Sequence, residues 1–198
     1  MSALNAVTEI NPDAISIAEA LDVERENGNV RSALHGVPIL IKNNIATMDK
    51  MNNTAGSYSL LGATVPRDST VVAKLRAAGL IILGKANMSQ WAQFRSSGKN
   101  TSSGWSAYGG QVTGAYYPNM SPSGSSSGSS VATSVGLTLA ALGTETDGSK
   151  LSPCHIFGYI CVFAPGFRLL EAFLSIPTTK QSFANPNYSR HCGSMQRR

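Results

Sequence analysis

Short apolar runs alternate with polar, glycine-containing turns along the first half of the chain. Residues 36–42, Gly-Val-Pro-Ile-Leu-Ile-Lys, and residues 80–84, Leu-Ile-Ile-Leu-Gly, are almost continuously apolar, as in strands that a sheet buries on both faces. Between them, apolar side chains recur at the spacing of one helix face, at Val71, Val72, Leu75 and Ala78. A strand, a helix and a strand in this order predict a βαβ crossover with parallel strands.

Two further helices are predicted from the same kind of pattern. The triplet Asn11-Pro12-Asp13 favours a helix start, and an apolar face continues to about Arg25 before Gly28 ends the helix. Residues 121–130 are almost entirely serine and glycine, and we interpret the apolar run 131–142 that follows as helical. Residues 143–149, Gly-Thr-Glu-Thr-Asp-Gly-Ser, then form a second glycine-containing turn that ends in a serine.

The two serine-bearing turns and Lys42 are candidates for chemistry. A serine attacks a carbonyl group efficiently only when a base takes its proton and nearby N–H groups stabilise the oxyanion. Lys42 ends a buried strand, where burial lowers the pKa of an amine and makes its neutral form available as that base. Two alternatives stay open at this point. Residues 121–130 could be a flexible linker, and Lys42 could be a strand-end lysine whose amine reaches solvent.

A different class of function would use the same Ser/Gly segment. A loop of this composition at a helix N-terminus can bind a nucleotide or a phosphate through its backbone N–H groups. Such a module needs a lysine or an arginine beside the loop, and residues 109–149 contain neither. A nucleotide- or phosphate-binding α/β module is therefore kept as an alternative to a serine-based site.

Composition and charge narrow the possible partners. The 198 residues carry a net charge of +5, but basic residues gather only at Arg190, Arg197 and Arg198, so no nucleic-acid-binding surface is predicted. No apolar run reaches the length of a membrane span and the N-terminus lacks a signal-peptide pattern, so we expect a cytoplasmic protein without membrane association. The three cysteines fit no zinc-binding spacing and are expected to be unpaired thiols.

Three segments now stand in a fixed order along the chain. They are Gly36-Val-Pro-Ile-Leu-Ile-Lys42, Ser123-Gly-Ser-Ser-Ser-Gly-Ser129 and Gly143-Thr-Glu-Thr-Asp-Gly-Ser149. Together they closely resemble the amidase signature family, which includes bacterial and fungal amidases, fatty acid amide hydrolase and the A subunit of glutamyl-tRNA amidotransferase. The resemblance runs from about Leu4 to Ser149, and the combination of the three motifs is far more specific than any one of them.

The resemblance implies a fold and a set of reacting side chains. The expected fold is a mixed, largely parallel central sheet covered by helices and incomplete on its C-terminal side. The expected chemistry is a Ser-Ser-Lys triad, with Ser149 as the acyl-accepting nucleophile and Lys42 as the base. Ser125 would be the bridging serine, which in the family follows a cis peptide bond.

The resemblance also implies an oxyanion hole and a reaction. Backbone N–H groups of Thr146, Asp147, Gly148 and Ser149 would stabilise the oxyanion. The implied reaction is hydrolysis of a carboxylic amide through an acyl-enzyme, with a small-molecule amide as the substrate. No cofactor and no metal are expected.

The chain departs from the family's pattern in two places and in its last part. Asn43 stands where the family usually has Asp, and Lys150 stands where a branched apolar residue is usual. Residues 1–149 are expected to be the N-terminal part of an amidase domain, and residues 150–198 a divergent, poorly ordered tail. A truncated amide hydrolase and a non-catalytic fragment or pseudoenzyme are both consistent with this pattern.

Overall fold

In the part of the chain that the structure describes, six strands form one mixed sheet in the order β1-β3-β2-β6-β8-β7, and two more, β4 and β5, form a small hairpin. The computed structural model describes residues 4–94, 102–146, 148–149, 151–157, 160–163 and 171–174. Within these ranges the strands are β1 (Val7–Ile10), β2 (Pro38–Lys42), β3 (Ile81–Ala86), β4 (Trp105–Ser106), β5 (Gly110–Gln111), β6 (Ala140–Gly143), β7 (Ile160–Phe163) and β8 (Glu171–Leu174). The α-helices are α1 (Ala14–Glu26), α2 (Thr70–Ala77), α3 (Ser127–Ser134) and α4 (Leu151–Phe157), and short 3-10 turns cover Tyr58–Leu60 and Gln90–Gln93.

The centre of the sheet consists of the parallel strands β3, β2 and β6. Strands β1, β8 and β7 are added at the two sides in antiparallel orientation. The predicted βαβ crossover is confirmed, because β2 and β3 are parallel neighbours joined through α2. The predicted mixed sheet covered by helices is confirmed as well.

The side chains of β2 alternate between two cores. Leu40 packs with Val131 and Ala132 of α3. Its neighbours on the strand, residues 39 and 41, are isoleucines that pack on the other face with Val72 of α2. Fully burying such side chains stabilises the fold by about 1.5–3 kcal/mol each, so both faces of β2 fix its register. The same alternation determines the direction of Lys42 at the end of the strand.

The predicted single helix over residues 131–142 is wrong. The helix begins earlier, at Ser127, and ends at Ser134. Gly136 follows with a φ of +73°, a left-handed conformation that glycine adopts without strain and that commonly ends helices. The rest of the apolar run forms β6, because Ala140, Ala141 and Leu142 pair with β2 in the centre of the sheet.

The segment after residue 149 contains α4, β7 and β8. It was predicted to be a divergent, poorly ordered tail, and residues 175–198 lie outside the described residues. The domain boundary at residue 149 stays a prediction. Cys154 in α4 is buried and disulfide-bonded, so the prediction of unpaired thiols is wrong for this residue.

The described ranges contain neither a membrane-spanning helix nor a group of metal-ligating side chains. None of the helices described is long and apolar enough to cross a membrane. In the same part of the chain, no three His, Cys, Asp or Glu side chains are grouped as metal ligands would be.

Candidate active site

Lys42 lies at the carboxyl end of β2 and on the same face as Leu40, toward α3. Its side chain is 0% exposed, so the alternative of an amine that reaches solvent is wrong. The Nζ atom donates to Ser125 Oγ at 2.8 Å, to Ser126 Oγ at 2.9 Å and to the carbonyl oxygen of Thr144 at 3.0 Å. Three acceptors thus surround a lysine amine that water does not reach.

The protonation of Lys42 is set mainly by this burial. Burial disfavours the ammonium form and lowers the pKa of Lys42 to about 7, against an opposing effect of the negative charge on Glu145, which raises the pKa. Both the neutral amine and the ammonium are therefore populated near neutral pH. An amine in this state can accept a proton and return it.

Ser125 and Ser149 continue the hydrogen-bonded chain that starts at Lys42. Ser125 is fully buried, and its Oγ atom donates to Ser149 Oγ at 2.9 Å. Ser149 is 7% exposed, and its carbonyl oxygen accepts from the backbone N–H of Ser126 at 2.9 Å. The peptide bond between Gly124 and Ser125 is cis, as the resemblance implied. The three residues predicted from separate motifs are therefore in contact in one line.

A close backbone approach places the first turn of α3 beside Lys42. Gly128 packs directly against the backbone of Ala6 and Asn87. A Cβ atom at residue 128 would be 2.3 Å from the carbonyl oxygen of Ala6 and 2.5 Å from the backbone nitrogen of Asn87. The backbone N–H of Gly128 donates to the carbonyl oxygen of Asn87 at 2.9 Å. Only glycine permits this approach, and the helix start is thereby fixed against β3.

The serine-rich sequence of α3 is compatible with burial because its hydroxyl groups have acceptors. Ser129 Oγ donates to the carbonyl oxygen of Leu142 in β6 at 2.9 Å, which ties the helix to the sheet. Ser130 Oγ donates to the carbonyl oxygen of Ser127 at 2.9 Å. Buried hydroxyls with partners avoid the desolvation cost of unpaired ones. The alternative of a flexible linker over residues 121–130 is therefore wrong for residues 127–130, which begin α3.

A second buried lysine, Lys85, lies on the opposite face of the sheet. It is also 0% exposed, and burial lowers its pKa to about 8. Its Nζ atom donates to the carbonyl oxygen of Ile45 at 2.6 Å and to Asn53 Oδ1 at 3.1 Å. Lys85 is paired in register with Ile41, one residue before Lys42, and so points away from Ser125. Strand alternation thus separates two lysines of similar burial.

The turn before α4 carries the backbone groups that were predicted to stabilise an oxyanion. Gly148 has a φ of +65°, which glycine adopts without strain. Within the described part of the chain, the backbone N–H groups of Thr146, Gly148 and Ser149 donate to no acceptor. Asp147, the fourth predicted contributor, lies outside the described residues.

The departure from the family's pattern at Asn43 has a local explanation. The buried Asn43 side chain accepts from Thr54 Oγ1 at 2.6 Å through Oδ1 and donates to Thr8 Oγ1 at 3.1 Å through Nδ2. The Thr8 hydroxyl hydrogen is already donated to the carbonyl oxygen of Lys85. An amide can donate to Thr8 whereas an ionised carboxylate cannot. Lys150, the other departure, lies outside the described residues.

Two groups that contact Lys42, the hydroxyl of Ser126 and the carbonyl group of Thr144, are not among the residues predicted from the sequence. Ser126 stands in a run of three serines, where composition gives no means of choosing one from another. The Thr144 contact is made by the backbone, which carries no residue-specific signal. Only the position of Thr144 at the carboxyl end of β6, next to β2, could have indicated it.

Comparison with known proteins agrees with this architecture. A family model described as Amidase matches residues 1–160, and the chain belongs to the amidase family. A relative from Arthroderma benhamiae, provisionally named an amidase, is 61% identical over 152 residues, which are 77% of this chain and 25% of that protein. The A subunit of the glutamyl-tRNA(Gln) amidotransferase of Bdellovibrio bacteriovorus is 36% identical over 159 residues, which are 80% of this chain and 31% of that protein.

The fold also matches that of a solved amidase. The X-ray structure of the native peptide amidase from Stenotrophomonas maltophilia has a TM-score of 0.74 and 48% sequence identity, over 79% of this chain and 31% of that chain. The chain therefore spans between 25% and 31% of the length of these relatives. Family membership and fold are shared with them over that part.

Proposed function

We propose that this chain carries the acyl-transfer centre of a serine amide hydrolase. The observation that carries the proposal is the hydrogen-bonded line from Lys42 Nζ through Ser125 Oγ to Ser149 Oγ, with distances of 2.8 and 2.9 Å. Its members have the roles that such a reaction requires: a buried base of lowered pKa, a hydroxyl that can both accept and donate, and a nucleophile at the edge of the buried region.

The first half of the reaction forms an ester on Ser149. Neutral Lys42 accepts the proton of Ser125 while Ser125 accepts the proton of Ser149, and Ser149 Oγ bonds to the carbonyl carbon of the amide. The backbone N–H groups of Gly148 and Ser149, with Thr146 and Asp147 as further candidates, stabilise the resulting oxyanion. The proton then returns from the Lys42 ammonium through Ser125 to the amide nitrogen, the C–N bond breaks, and the amine leaves.

The second half of the reaction uses water. The same relay takes a proton from a water molecule, whose oxygen bonds to the acyl carbon, and the proton returns to Ser149 as the ester bond breaks. The products are a carboxylic acid and an amine or ammonia. We propose a small-molecule or peptide amide as the substrate, since the solved relative at 48% identity is a peptide amidase. A cytoplasmic location stays a prediction from the sequence.

A serine-directed probe tests the proposal on the 198-residue chain. A fluorophosphonate is expected to attach to Ser149, with the adduct located by peptide mass spectrometry, and the chain is expected to release ammonia from a peptide amide. Ser152→Ala is the matched control because Ser152 lies close by in α4 and its hydroxyl contacts only Ser123 in the described part of the chain. An adduct on another serine, or no adduct on folded protein, would overturn the proposal.

The rate of probe attachment is expected to rise with pH through about 7, the pKa of Lys42 in this site, and to level off above it. The labelling rate rises with pH because the base must be neutral, and the neutral fraction of Lys42 grows as the pH passes its pKa. A lysine with an unshifted pKa would give a midpoint of about 10.4 instead. The measurement is the labelling rate across this range at constant ionic strength.

Glu145→Gln provides the control for this pH profile. The substitution keeps a side-chain oxygen that can accept from the backbone N–H of Leu151, as Glu145 does at 3.0 Å, but removes the negative charge that raises the pKa of Lys42. The midpoint is therefore expected to move to lower pH. A midpoint that stays in place would show that Lys42 is not the titrating base.

A further inference from the structure

The proton relay proposed above leaves two contacts of Lys42 unused, those with Ser126 Oγ and with the carbonyl oxygen of Thr144. Ser126 is fully buried, and its Oγ atom lies 2.9 Å from Lys42 Nζ, as close as the bridging Ser125 at 2.8 Å. The carbonyl oxygen of Thr144 takes the third position at 3.0 Å. Among the described residues, the amine thus has three acceptors, each within 3.0 Å.

The positions of these three acceptors matter because the lone pair of a neutral amine points in one direction. Once Lys42 has lost a proton, its nitrogen keeps two N–H bonds and one lone pair, placed tetrahedrally around the bond to the side chain. The lone pair accepts a proton from Ser125 only if it points at Ser125 Oγ. The two N–H bonds must then point at the two other acceptors, Ser126 Oγ and the Thr144 carbonyl oxygen.

We propose that Ser126 is a positioning residue that, together with the carbonyl group of Thr144, holds the N–H bonds of neutral Lys42 and directs its lone pair at Ser125. This inference rests on the proposed function, because it assigns a task within the same relay. Ser126 itself exchanges no proton with the substrate.

Ser126 is held firmly enough for this task. Its Oγ atom donates to the carbonyl oxygen of Thr144 at 3.2 Å and accepts from the backbone N–H of Thr144 at 3.3 Å. Its backbone N–H donates to the carbonyl oxygen of Ser149 at 2.9 Å. One residue therefore joins the base, the end of β6 and the nucleophile. Glu145 is the charged side chain that acts on Lys42 from the segment after β6.

Ser126→Ala tests the inference, with Ser130→Ala as the matched control. Ser130 lies in α3, which Ser126 directly precedes, and is equally buried, but its hydroxyl bonds to Ser127 and not to Lys42. At a pH where Lys42 is neutral, labelling of Ser149 by the fluorophosphonate is expected to slow by roughly 10²-fold in Ser126→Ala, the cost of a misdirected reacting group. Ser130→Ala is expected to react at the unaltered rate. Equal rates in the two variants would overturn the inference.

Titration of Lys42 gives a second readout that does not require activity. In protein with isotope-labelled lysine, the NMR midpoint of Lys42 is expected to fall by about one pH unit in Ser126→Ala, since the ammonium loses one of its acceptors. It is expected to stay unchanged in Ser130→Ala. If the unaltered chain takes no probe, the proposed function fails, and this titration alone decides whether Ser126 holds the amine: an unchanged midpoint would overturn it.

Ser126→Cys provides the test if Ser126→Ala fails to fold. Ser126→Cys keeps the side-chain volume nearly unchanged but replaces a strong acceptor by a weak one. It is expected to show the same slower labelling and the same direction of the Lys42 shift, to a smaller extent. A cysteine variant identical to the unaltered protein in both measurements would overturn the inference.

Discussion

Replacing Ser149 by alanine is expected to lower amide hydrolysis by at least about 10⁴-fold and to abolish fluorophosphonate labelling. The substitution removes the atom that would form the acyl bond, and nothing in the described part of the site offers a second hydroxyl at that position. Ser149 is 7% exposed and at the end of the hydrogen-bonded line, so its replacement removes one hydrogen bond and leaves the core intact. The comparison requires kcat/KM for a peptide amide and an intact-mass measurement after exposure to the probe.

Ser125→Ala separates the nucleophile from the relay. It keeps Ser149 but breaks the path of hydrogen bonds that joins Ser149 Oγ to Lys42 Nζ through Ser125 Oγ. Slow labelling should persist, with a loss of about 10²–10⁴-fold, typical of general acid–base groups. Labelling of Ser149→Ala at the unaltered rate would show that the probe reacts elsewhere and would remove the basis of the proposed function.

Lys42→Met is expected to lower kcat by about 10²–10⁴-fold while the chain stays folded. Methionine nearly fills the volume of the lysine stem but offers no lone pair that can take the proton from Ser125. The pH dependence of labelling near 7, the pKa of Lys42, is expected to disappear together with the base. Circular dichroism and thermal unfolding verify the fold, and the labelling rate across pH provides the measurement.

Lys85→Met is the matched control for that experiment. Both lysines are 0% exposed and both have lowered pKa values, but Lys85 bonds to Ile45 and Asn53 on the opposite face of the sheet. Its replacement removes the donor to the carbonyl oxygen of Ile45, whereas Asn53 Oδ1 still accepts from the backbone N–H of Thr47, and should reduce stability on the order of 1–3 kcal/mol. The folded fraction should still label at Ser149. Equal losses of labelling in the two variants would indicate a general effect of removing a buried lysine.

The sequence predicted the parts of the molecule that local pattern and motif determine. The apolar run before Lys42 indicated a strand buried on both faces, and β2 is that strand. The start of α3 could not be predicted, because the Ser/Gly composition of residues 121–130 is typical of a linker. What makes it helical is tertiary: Gly128 fits against Asn87, and the hydroxyl of Ser129 bonds to β6.

In the site, too, the motifs predict which residues take part, whereas tertiary contacts determine how they are oriented. The motifs indicated Lys42, Ser125 and Ser149, and the structure places them in contact. Strand alternation, which decides that Lys42 and not Lys85 faces α3, depends on a register that only the paired sheet establishes. Ser126 could not be chosen from its neighbours, because its contact with Lys42 depends on the orientation of a single hydroxyl.

The long separations within the site have a consequence for how the chain folds. Lys42 meets Ser125 across 83 residues and Thr144 across 102, through strands β2 and β6 that pair in parallel. Parallel pairing over such distances is a slow step, since loop closure costs entropy before any contact forms. The burial of Lys42 and its contact with Thr144 both require β6 to be paired with β2. On the proposed mechanism, we therefore expect Ser149 to react with a serine-directed probe during refolding only after the central sheet has formed.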